Sequence, residues 1–199
     1  KLALGEQEHA ERLLEGLTTT NPDIPAAHFL LARSYSVDNK AEKMRSSLYE
    51  TIKLEPNHFG ANIIMARLDL FEGKIDAFKN RVAMLDEIFP DNQQVQFFKA
   101  KIESGDSNYG GAIDTLSSLM AKTPNTEIII DLSRNQWQSG DKQGAISGLQ
   151  LWVEANEDDS QAFMLLAQFY MAENRFEEAK KAYVTLNTLT GDNPVVLNN

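Results

Sequence analysis

SQAFMLLAQFYMAENRFEEAKKAYVTLNTLTGDN, residues 160–193, holds two helical stripes and one turn. Phe163, Leu166, Ala167 and Tyr170 recur at steps that place them on one helix face. Asn174-Arg175 interrupts the pattern, and Phe176, Ala179, Tyr183 and Leu186 then form a second stripe. Asp159-Ser160 offers capping oxygens before the first helix, and Asp192-Asn193-Pro194 marks the start of a further one. The stretch predicts an antiparallel pair of helices.

Working outward, the same unit recurs. Pro22, Pro56, Pro90 and Pro124 stand at successive 34-residue steps, and Ala10, Met44, Phe78 and Ala112 each stand twelve residues before one of them. Ala145 and Ala179 continue the second series, with one residue lost after Pro124. Five units follow, at 25–58, 59–92, 93–125, 126–159 and 160–193. Residues 1–24 supply the end of a preceding unit and 194–199 the opening of a later one, so 1–199 is expected to be a single array cut from a longer chain. Turns are expected near 38–40, 72–74, 105–109, 139–141 and 173–175, with SGDSNYGG (104–111) lengthening the third. No segment alternates with period two over a useful length, so the fold class is all-α.

Each unit also repeats a small residue: Ala32, Ala66, Ala100, Ser133 and Ala167. Helices approach to about 8–10 Å only where the side chains at the crossing are small. Repetition of that contact implies pairs packed against their neighbours rather than around one globular core.

These residues resemble the tetratricopeptide repeat family. Its order of a large apolar residue, Leu, a small residue and Tyr on helix A, then Ala, an aromatic and Ala on helix B, is matched or nearly matched by Phe163, Leu166, Ala167, Tyr170, Ala179, Tyr183 and Leu186. Asp69, Glu103 and Gln136 depart from it at the tyrosine. The resemblance implies a right-handed superhelical solenoid of antiparallel helix pairs whose helix-A faces line a concave groove. By register, the groove cations are Arg33, Arg67, Lys101 and Arg134, followed by Gln168. Beside them stand Phe29, Ile63, Phe97, Ile130 and Met164, and one turn further on Trp137 and Met171. The competing reading pairs these cations internally with carboxylates such as Asp69, Glu72, Glu103 or Asp131. Exposed pairs contribute only about 0–1 kcal/mol, which is a weak reason to repeat a cation in register.

The resemblance further implies a non-enzymatic scaffold that binds an extended peptide or protein segment in the groove. An anionic polysaccharide is the alternative ligand. More narrowly, the chain is similar to long bacterial tetratricopeptide lipoproteins of the exosortase (PEP-CTERM) and exopolysaccharide type, which implies a periplasmic or cell-envelope setting; the cytoplasm is the alternative. A formal net charge of -10 and a pI near 4.8 argue against a nucleic-acid partner. Cysteine is absent, which removes disulfides and thiolate chemistry and suits either compartment. No apolar run reaches the roughly 20 residues of a membrane span.

Catalytic, cofactor and metal motifs are not found. His9, His28 and His58 form no HExxH pair; His28 falls on an apolar position, and His9 and His58 are expected in solvent near turns. The glycines of GDSNYGG do not make a phosphate loop, and EANEDDS (154–160) lacks a calcium-loop spacing. Leu13, Leu14 and Leu17 at one end, and Tyr183 and Leu186 at the other, are expected to be poorly covered, which predicts end-to-end self-association.

Overall fold

The computed structural model describes residues 2–37 and 40–191. All regular secondary structure among them is α-helical: α1 (Leu2–Thr20), α2 (Pro25–Val37), α3 (Ala41–Leu54), α4 (Phe59–Phe71), α5 (Ile75–Ile88), α6 (Gln93–Gly105), α7 (Tyr109–Lys122), α8 (Thr126–Ser139), α9 (Lys142–Ala155), α10 (Ser160–Ala172) and α11 (Phe176–Thr190). Part of the 38–40 turn and the whole expected start at 194–199 lie outside the described residues. The chain divides into two compact units, residues 1–95 and 96–199, and α6 crosses the division.

Short polar side chains start several of the helices. Asn108, Asn125, Asp141 and Asp159 each accept a hydrogen bond from a backbone N–H three residues on, at 3.2, 3.0, 2.9 and 3.0 Å. Such caps satisfy an otherwise unpaired helix N–H and contribute about 1 kcal/mol each. His58 does the same for α4, accepting from the Ala61 N–H at 3.1 Å. This corrects the expectation of a solvated His58: its ring is held at the cap, half-buried, with the Phe29 ring 4.5 Å away.

The turn at 104–111 is another correction. Ser104 and Gly105 finish α6, and Tyr109, Gly110 and Gly111 open α7, so the link is no longer than those at 72–74 and 173–175. All three links carry a left-handed residue at their middle: Gly73, Ser107 and Asn174, with φ of 71°, 62° and 58°. The residue lost between Pro124 and Ala145 falls in the link between α7 and α8, which keeps three residues, 123–125, against four at 55–58, 89–92 and 156–159. The link between α8 and α9, Gly140-Asp141, is short because α8 runs one residue further than the other first helices, and Gly140 takes φ 97°.

In the first unit Ala32, Leu48, Ala61 and Met65 form a buried cluster, with Phe29, Met44, Ile52, Ile64 and Leu68 packed against it. Ala32 and Ala66 are wholly buried, as the crossing geometry requires. The departures from the consensus compensate one another. Asn62 and Asp69 replace the large apolar residue and the tyrosine, and Arg81 from α5 joins them, donating to Asn62 Oδ1 at 2.8 Å and Asp69 Oδ2 at 3.1 Å. At one end, Glu11 and Glu15 tie α1 to Lys40, Lys43 and the Tyr35 hydroxyl. Leu13 and Leu17 stand 61% and 39% exposed.

In the second unit Leu116, Ile146, Leu149 and Leu186 are fully buried, as are Ala100, Ser133 and Ala167 at the small positions. Leu186 departs from expectation because Ala179, Ala182 and Leu186 form the face that α11 turns inward. Asp159 fastens three helices. Its carboxylate caps α10 and accepts hydrogen bonds from Thr126 Oγ1 and Trp152 Nε1, both at 2.7 Å.

Candidate functional site

The register-derived residues do not share one environment. In the first unit Phe29 is half-buried and packs over Gly60, where an added Cβ would lie 2.6 Å from its ring. Ile63 is half-buried, Arg33 is exposed, and Arg67 donates to Gln94 Oε1 at 2.7 Å. Phe29 therefore serves packing at least in part, because the start of α4 covers it.

The second unit separates the residues further. Phe97 is buried to 4% exposure, with the Lys101 ammonium 5.0 Å from its ring centroid. Lys101 is ion-paired with Asp131, whose side chain is almost wholly buried. Both side chains are thus engaged within the protein rather than presented as an open apolar and basic pair. Trp137 is stacked on Phe169 at 4.1 Å and 15°, and the Lys142 ammonium lies 5.1 Å from its ring centroid. A ring engaged in this way is a poor platform for a sugar. Met171 is 37% exposed.

Four of the expected residues do converge. Ile130 and Arg134 from α8, and Met164 and Gln168 from α10, line a pocket of about 330 Å³. Ser160, Gln161, Leu165, Leu186 and Thr190 complete it. Ile130, Leu165 and Leu186 are buried and Met164 is half-buried, giving the pocket an apolar floor. Arg134 and Gln168 are exposed at its rim, and the Arg134 guanidinium has no hydrogen bond or ion pair with another described residue. A cation held beside apolar surface attracts an anionic group on an aliphatic support.

Helix-A register could not reveal Leu186 and Thr190, which come from the end of a helix B. The frame around the pocket is set by Asp159, immediately before Ser160 and Gln161. Burial would raise the pKa of this carboxyl; hydrogen bonds from Trp152, Thr126 and the backbone N–H groups of Ala162 and Gln161 outweigh it and hold the pKa below the ordinary aspartate value. No group of three or more metal-ligating side chains occurs among the described residues. No helix among them is long and apolar enough to cross a membrane.

No protein-family model matches the chain, and no curated protein matches it. Solved structures do. The crystal structure of the APC/C hetero-tetramer Cut9-Hcn1 superposes with a TM-score of 0.78 at 12% identity, over 99% of this chain and 39% of that one. A tetratricopeptide repeat protein from Parabacteroides merdae gives 0.73 at 13% identity, over 98% and 77% of the two chains. YrrB, described as a TPR protein with an unusual peptide-binding site, gives 0.64 at 13% identity, over 93% and 96%. The fold is that of a tetratricopeptide solenoid.

Proposed function

We propose that this chain is a non-enzymatic interaction scaffold, and that the pocket between α8, α10 and the end of α11 receives an extended segment of a partner protein. The segment carries one acidic side chain for Arg134 and an adjacent aliphatic side chain for the floor formed by Ile130, Met164, Leu165 and Leu186. The observation that carries this reading is Arg134, an exposed cation with no carboxylate partner among the described residues, at the mouth of an apolar pocket. Gln168 and Gln161 offer amide groups to a peptide backbone at the same rim. YrrB's peptide-binding site supports the reading by analogy of fold.

The test is calorimetric titration with a short peptide bearing one Asp beside Leu, against the same peptide with Asn in place of Asp. The acidic peptide should bind and weaken with added salt, since charges are screened over roughly 8 Å at physiological ionic strength. Arg134→Ala should abolish its advantage while leaving thermal unfolding in place. Equal binding of the two peptides, or stronger retention on a polyuronate than on either, would replace this reading.

A further inference from the structure

The rung next to Arg134 holds the opposite arrangement. Lys101 occupies the same repeat position on α6, and Asp131, the neighbour of pocket residue Ile130, is ion-paired with it. The Asp131 side chain is 11% exposed and that of Lys101 29%. Lys101 also lies over the buried ring of Phe97, which fixes where its ammonium sits. The rung is filled and electrically neutral.

We infer that Asp131 is a specificity-determining residue, which by occupying the neighbouring cation denies a partner segment any gain from a second anionic group. The inference rests on the peptide-binding reading above. Adjacent helices sit about 8–10 Å apart, and an extended chain advances about 3.3 Å per residue. A second acidic residue three positions from the first would therefore face the Lys101–Asp131 pair. There it meets a cation already neutralised and a carboxylate of its own sign, held at low exposure where screening is weak. The attraction of Lys101 and the repulsion of Asp131 offset one another, so the site loses a preference for polyacidic partners without gaining affinity for a monoacidic one. A run of acidic residues, or a regular polyanion, gains nothing from its further charges at this rung.

Two peptides test it: one with a single Asp beside Leu, and one with a second Asp three residues away on either side. In the wild-type protein their affinities should agree within about twofold. Asp131→Asn keeps the side-chain shape and releases Lys101, so the ratio of diacid to monoacid affinity should rise by about tenfold, the scale of a close charge pair at an interface. A wild-type protein that already prefers the diacid by that factor, or a ratio unmoved in a folded Asp131→Asn variant, overturns the inference and leaves the peptide reading standing. Failure of the monoacid peptide to bind the folded wild-type protein overturns both. Should Asp131→Asn not fold, Lys101→Gln with Asp131→Asn removes both charges, and the ratio should then stay near one; a ratio well above one would count against the Lys101 rung as the second reader.

Discussion

Lys101 and Arg134 occupy the same position of consecutive repeats, yet one is bound into the protein and the other faces an open pocket. The difference lies in the helix that each one meets. Lys101 reaches across to α8 and finds Asp131. Arg134 faces α10, where the residue at the corresponding place in the repeat is Leu165, 5% exposed and part of the pocket floor. A carboxylate at that place closes the rung; a leucine leaves a cation beside apolar surface. At these two rungs, one side chain on the following helix therefore decides whether the cation is structural or available.

Moving the carboxylate should have the largest effect. Leu165→Asp would set an acid beside Arg134 and should remove binding of the monoacid peptide. It should also lower stability by about 3 kcal/mol, since a buried leucine is lost and a charge gained. Leu165→Asn separates the two effects, because it shares the packing loss without the charge; if both variants lose binding equally, the neutralisation argument is wrong. Denaturant titration alongside peptide titration measures both quantities.

Next come the cations themselves. Lys101→Ala strands the poorly exposed Asp131 and should cost about 1–3 kcal/mol, the lower part of the range for breaking a buried pair because Lys101 is partly in solvent. Arg134→Ala should cost less than about 0.5 kcal/mol, as for an exposed residue without a partner among the described residues. Equal stability losses in chemical unfolding would erase the distinction between the two rungs.

Acid should act through the frame of the Arg134 pocket. Asp159 has a lowered pKa in the folded protein, so its contribution is present above the unfolded aspartate value, about 3.9, and is lost as pH falls through the folded value. Stability should decline below about pH 4, and Asp159→Ala should flatten that part of the profile while costing about 1–2 kcal/mol at neutral pH through the lost cap. An unaltered acid limb in thermal unfolding of the variant would remove Asp159 from the explanation. The smallest effect belongs to the turn that follows the Lys101 helix. Ser107 holds φ 62°, so Ser107→Gly should stabilise by about 0.5 kcal/mol, the left-handed cost less the extra chain entropy of glycine. Peptide affinity should not change, and a change would mean that the geometry of α6 contributes to the site beyond its charge.

The helix pairs were legible because proline, small residues and apolar stripes repeat, and a repeated contact requires a repeated spacing. The observed helices open at residues 25, 59, 93, 126 and 160, where the period of the sequence places them. Asp159 was readable as a cap from its own neighbourhood. Its grip on Thr126 and Trp152 was not, since those partners come from other helices. His58 looked solvated for the same reason: its cap is local, but the Phe29 ring tilted against it comes from α2 and is visible only once α2 and α4 are side by side.

The sequence by itself determined the helices, their turns and the position of each cation along its own helix, because periodicity is local and the backbone converts it directly into a face. It named Asp131 among several possible partners but could not choose. Only the tertiary structure decided that Lys101 meets Asp131 while Arg134 meets Leu165, that Phe97 is buried, and that Leu186 and Thr190 from α11 complete the pocket. Those outcomes depend on how neighbouring helices are rotated and offset. That geometry is set by the packing of many side chains together, and no single helix carries it.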